Sequence, residues 1–178
     1  MTSNLWFTVG TKFAWTPAGS NGANPGLLTL TSLATAAGWR GSQMNLGAIL
    51  GPSNARPAWY RWALQTKLTS TTPVIGNTLD LYFAGYNDDI TPGTPDAPGG
   101  ITGTTDASFP TVAFLNNLKL AGSVIVDATT TPAITKSGLV FLPFQYVQPV
   151  VWNGSGAACS ATGTDHALWL TPFNPQAQ

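Results

Sequence analysis

The chain contains one histidine, His166, and one cysteine, Cys159, and this scarcity limits the chemistry it can perform. Structural and catalytic zinc sites draw on several His and Cys ligands, a set that one chain with one of each cannot supply. Cys159 or Ser155, together with His166 and Asp165, offers on paper a nucleophile, a base and an orienting carboxylate. The local pattern argues against that use. Asn153-Gly154-Ser155-Gly156 is not a Gly-x-Ser-x-Gly elbow, and it reads more simply as a hairpin turn. No catalytic residue is assigned, and the chain is expected not to be an enzyme.

All seven acids are aspartates. Asp88, Asp89, Asp96 and Asp106 gather in one Gly- and Pro-rich stretch, where a hard cation could find carboxylates and backbone carbonyls. The EF-hand spacing is absent and no Glu supplies a bidentate ligand. Asp also serves as an ordinary turn residue, so no metal and no cofactor is expected. Arg56, Arg61 and Lys67 lie near Trp59 and Trp62, a mixture that can bind nucleic acid. Alternation within one strand and a net charge of zero favour a solvated face instead, with neither nucleic acid nor an anionic membrane as partner. Asn153-Gly154-Ser155 matches the glycosylation sequon, but residues Met1 to Trp6 show no signal-peptide pattern. Synthesis in the cytosol is expected, with no apolar run of the roughly 18 residues that a spanning helix requires.

Trp6, Phe7, Phe13 and Trp15 are the aromatic group that most suggests contact with another protein, because aromatics bury large areas at low entropy cost. They are assigned as interface residues on an N-terminal arm spanning 1–26. The competing reading is that they complete the domain's own core.

The elements that would position these residues are strands. Only 8% of residues are charged, against about 25% in typical domains, and Thr, Ser, Asn and Gly stand where helix-forming Glu, Lys and Arg would be. Leu5, Phe7 and Val9 alternate, and a second strand is expected over Gly26–Ala34, broken by Gly38 and Gly41. Ala58–Thr69 puts Tyr60, Trp62, Leu64 and Leu68 on one face and Trp59, Arg61, Gln65 and Lys67 on the other. Thr78–Ala84 repeats the pattern with Leu79, Leu81 and Phe83 inward. A long loop is expected over Asn87–Pro110 and a short amphipathic helix over Pro110–Leu118. Ala121–Val126, Leu139–Phe144, Val147–Trp152 and Ala167–Thr171 complete the strands, with turn signals at Thr131-Pro132, Ser137-Gly138 and Asn153-Gly154. The expected fold is all-β: one antiparallel β-sandwich over 27–178, preceded by the arm.

Six segments carry a resemblance in element order. They are Leu79–Gly85, Gly100–Asp106 closing the Gly-rich loop, Leu118–Val126, Gly138–Tyr146, Val150–Ala157 and Leu168–Pro172. Over about Leu27 to Pro172 the chain resembles small tailed-phage virion proteins found with capsid genes. The resemblance implies a capsid decoration (cement) protein of jelly-roll type on the virion exterior. It would be bound to the major capsid protein and act as a homo-oligomer, often a trimer. The alternative is a receptor- or glycan-binding head of a tail or fibre, with Trp59 or Trp152 flooring the sugar site.

Overall fold

A computed structural model of the chain describes residues 5–19, 24–47, 58–69, 73–86, 101, 103–126 and 133–177, and of 5–9, 24 and 174–177 the backbone alone. In chain order the strands are β1 (Leu5–Val9), β2 (Phe13–Thr16), β3 (Asn24–Leu27), β4 (Ala37–Arg40), β5 (Met44–Asn45) and β6 (Trp59–Thr66). They continue as β7 (Thr78–Tyr86), β8 (Ala107–Phe109), β9 (Lys119–Ile125), β10 (Ile134–Phe141), β11 (Tyr146–Asn153) and β12 (Ala167–Ala177). The first sheet runs β10-β6-β12-β2-β3, with β1 also on β12; the second runs β8-β4-β11-β7-β9, with β5 also on β11. Each sheet is thus built around one long strand that has a long neighbour on one side and two short ones on the other. Pairings are antiparallel except β2 with β3. The protein is an all-β sandwich.

Alternation explains why the two sheets face each other. Tyr60, Trp62 and Leu64 of β6 and Leu168 and Leu170 of β12 are buried against Leu79, Leu81 and Phe83 of β7 and Val147 and Val151 of β11. The Trp15 ring meets Phe83 across the gap at 6.4 Å. Trp62 closes the seam where β9 and β10 adjoin, and its Nε1 donates to the Ala121 carbonyl at 3.1 Å.

Several expectations are corrected. The first strand expected from Leu5, Phe7 and Val9 forms as β1, but β2 and β3 also put residues 13–16 and 24–26 of the supposed arm into the first sheet. Trp15 is fully buried, and its Nε1 donates to the Ser42 carbonyl at 2.9 Å. The strand expected over Gly26–Ala34 stops at Leu27, because the chain turns through Ser32 at φ 57° and Ala36 at φ 56°. Gly38 sits inside β4 rather than breaking a strand: a Cβ there would lie 2.8 Å from the Trp152 ring and 3.0 Å from Phe109. Ser137-Gly138 likewise lies inside β10, not in a turn. The expected helix closes as a six-residue 3-10 segment, Val112–Asn117, capped by Thr111.

Candidate functional site

The outer faces of the two sheets differ. That of the second sheet is covered in part by the chain itself. Ile101, Phe109 and Leu115 pack on Ala84, Tyr86 and Val150, with Trp152 and Tyr146 alongside. Polar bonds hold this cover down. Asp106 Oδ1 accepts from the Thr29 amide at 2.9 Å and from Trp39 Nε1 at 2.8 Å. Buried Gln148 donates to the carbonyls of Gly41 (3.1 Å) and Gly103 (2.9 Å) and accepts from the Tyr86 hydroxyl at 2.7 Å. Burial lowers the Arg40 pKa from its ordinary value, opposed by nearby Tyr86 and Asp106.

The outer face of the first sheet carries no such cover among the described residues, and its cross-strand register orders it into rows. Phe141, Trp59 and Phe173 form one row; Leu139, Arg61 and Thr171 the next; then Ser137, Ala63, Trp169 and Ala14; then Thr135, Gln65, Ala167. Leu139 is 55% exposed, Trp59 46% and Phe141 41%, and the last two meet ring to ring at 5.3 Å. Leu120 and Ile125 of the adjoining β9 are also exposed, but they pair with Tyr82 and Thr78 and stand on the outer face of the second sheet. Two clefts of about 560 and 480 Å³ open on the same face, and Trp169 lines both. Lys12 Nζ stands 5.5 Å from the centroid of that indole.

The histidine and cysteine do come together, through a third residue. His166 Nε2 lies 2.9 Å from the Ser160 carbonyl, which requires the proton on that nitrogen, so Nδ1 accepts from the Thr66 hydroxyl at 3.0 Å. Cys159 Sγ lies 3.9 Å from the same Thr66 oxygen and receives the Asn153 amide at 3.9 Å. Burial pushes the Cys159 thiol up to about 11, against a smaller opposite pull from its Thr66 bond. Burial also lowers the His166 pKa, opposed by the Ser160 bond and by Asp165. A reactive cysteine needs the reverse, an accessible thiolate stabilised by positive charge. Asp165 does not orient the imidazole. It accepts from Ser160 Oγ at 2.6 Å and faces Lys67 Nζ at 3.8 Å. Ser155 is bonded within its turn, 2.6 Å from Asn153 Oδ1 and 2.9 Å from the Ala157 carbonyl. The arrangement is a buried hydrogen-bonded joint linking β6, the segment around Cys159 and the start of β12.

The sequon is blocked in the folded chain: Asn153 is fully buried, and its Nδ2 donates to the carbonyls of Leu33 (3.0 Å) and Ala157 (2.8 Å). Of the four clustered aspartates, Asp106 is engaged as above; Asp88, Asp89 and Asp96 lie outside the described residues, as does Arg56. Among the described residues no group of His, Cys, Asp and Glu is placed to hold a metal ion. Phe13 and Trp15 of the assigned interface group lie in this chain's own core, while Trp6 and Phe7 belong to β1, whose side chains are not described. Trp169, by contrast, carries no signal in the sequence that sets it apart. Its alternation looks like that of any strand residue, and its setting depends on Ala14 and Ala63, far away in the chain. No known family model matches the chain, and no curated protein matches it in sequence.

Proposed function

We propose that the protein is a non-catalytic structural protein that coats the outside of a phage capsid as a decoration (cement) protein and stabilises the shell by contact. The observation that carries this reading is the apolar strip of Trp59, Leu139 and Phe141 on the outer face of the first sheet, which no other described part of the chain covers. Such a strip, on a surface poor in charge, marks a contact site. Net charge zero offers little repulsion between adjacent copies, as a repetitive shell requires. The resemblance in element order supplies the identity of the shell, the jelly-roll topology and the trimeric habit. Bound many times over, a modest contact stabilises the shell by mass action.

The test is binding of the purified chain to assembled capsids, with its position in the particle read by cryo-electron microscopy. Leu139 and Phe141 are about half exposed. Burying the remainder of each contributes about 0.8–1.5 kcal/mol, half the full transfer value. Leu139→Asp with Phe141→Asp is therefore expected to weaken capsid binding by about 15- to 150-fold with little change in thermal stability. Density confined to the tail tip, or unchanged binding by the double variant, refutes the reading.

A further inference from the structure

We infer that the outer face of the first sheet holds a binding cleft for an acidic saccharide, divided into two subsites by Trp169. The inference is independent of the capsid reading. It starts from the rows of the sheet: the cross-strand neighbours of Trp169 are Ala63 and Ala14, and two positions before it on the same strand stands Ala167. The small side chains of Ala167 and Ala63 leave a depression on either side of the ring and line the clefts of about 560 and 480 Å³, respectively, that share the indole. Both volumes fall within the roughly 300–1,000 Å³ typical of small-molecule sites.

The two sides differ in chemistry. The larger cleft is lined by neutral hydrogen-bonding side chains, Thr16, Gln65, Thr162 and Thr164. Thr16 there buries its Oγ1 without a hydrogen-bond partner. The smaller cleft is lined by Lys12 and Arg61 with Thr171 and Phe173. Neither lining contains a carboxylate. The nearby Asp165 is engaged by Ser160 and Lys67. An aromatic wall, neutral donors on one side and two exposed cations on the other match a chain of pyranose rings. The apolar face of a ring stacks on the indole, hydroxyls meet the threonines and Gln65, and a carboxylate meets Lys12 and Arg61. Two cations on a chain of zero net charge are too few to hold a nucleic-acid backbone.

The test is affinity electrophoresis of the full chain in native gels cast with polygalacturonate or polysialic acid, beside gels cast with dextran or poly-glutamate. Retardation by at least one acidic polysaccharide is expected, and little by dextran or poly-glutamate. Trp169→Ala and the double variant Lys12→Gln/Arg61→Gln should each weaken the apparent affinity by about tenfold or more, and Trp169→Phe should retain part of it. Lys12 and Arg61 are exposed, so the double variant decides the matter if Trp169→Ala does not fold. Four results overturn the inference: no retardation by either acidic polysaccharide, equal retardation by dextran, equal retardation by poly-glutamate (an acidic peptide site), or folded variants that bind as well as the parent. Capsid binding by the same variants separates this site from the apolar strip, since the loss of one should leave the other intact.

Discussion

Replacing Gly138 by alanine should destabilise the protein, although alanine is ordinarily the better residue in a strand. Removing a glycine from an element interior is worth about 0.5–1 kcal/mol in backbone entropy, and Gly138 is not among the residues with positive φ, so conformation does not oppose the change. Space does. A Cβ at Gly138 would lie 2.9 Å from the Trp62 atoms Cε2, Cζ2 and Nε1. Gly122 of β9 faces the same indole, where a Cβ would come within 2.5 Å of Cζ2. The ring is therefore held between the edge strands of both sheets and cannot retreat toward β9 without a second clash. Overpacking of this kind costs about 1–3 kcal/mol, which at mid-range outweighs the entropic gain and leaves a net loss of about 1 kcal/mol, at most about 2.5 kcal/mol. For a domain of this size the mid-range loss corresponds to a melting temperature lower by about 2–5 °C. The assay is a thermal and urea double-mutant cycle with Trp62→Leu, a residue that vacates the space beside Gly138. In that background Gly138→Ala should be neutral or stabilising. Stabilisation by Gly138→Ala alone, or an equal loss in both backgrounds, refutes the claim that Trp62 closes the seam.

Three further outcomes follow from the buried polar groups. With its thiol raised from 9.0 to about 11, Cys159 should present about a hundredfold less thiolate than a free thiol, so alkylation near pH 8 should be slow in the native protein and fast in denaturant; equal rates contradict the buried joint. His166 has a lowered folded pKa, so the unfolded chain binds its proton first. Stability should therefore be full above the unfolded value near 6.5 and fall as pH drops from there toward the folded pKa, by at most about 1.4 kcal/mol per pH unit from this group; a His166→Asn variant with the same slope in that window excludes it as the cause. Asp106→Ala should leave the Thr29 amide and Trp39 Nε1 without their acceptor, costing about 2–3 kcal/mol and exposing residues 103–109 to proteolysis, whereas Asp106→Asn, which keeps an oxygen acceptor, should cost less; equal effects would refute the latch.

Strands β6 and β7 were legible in the sequence because each carries its own period-two pattern and needs no information from elsewhere. Legibility failed where a residue's reason lies across the sheet. Gly38 and Gly138 look like breaks, yet each makes room for a tryptophan contributed by another strand, Trp152 and Trp62 respectively. Leu28, Leu30 and Leu33 suggest a continuing strand and are indeed buried, but they reach the core from a turning segment. Phe13 and Trp15 bury large areas, but the sequence alone does not say that Leu170 and Leu168 receive them within the same chain. The same limit hid Trp169.

Where the apolar strip sits also bears on how the proposed contact would be made. Among the described residues β9 and β10 end their sheets and lie against each other, and open edges of this kind invite strand addition. Both edges carry features that oppose it: Lys119 and Lys136 are exposed on them, and the ladder between β7 and β9 is irregular at Leu81/Tyr82. The apolar side chains Trp59, Leu139 and Phe141 project from the outer face of the sheet instead. On the proposed reading, contact through this region would be made by side chains on a face, not by backbone pairing along an edge. The distinction has a measurable consequence. Strand addition draws its affinity from main-chain hydrogen bonds and would tolerate Leu139→Asp with Phe141→Asp, whereas a face-on contact loses most of its affinity to those two substitutions while the ladder between β10 and β6 stays intact.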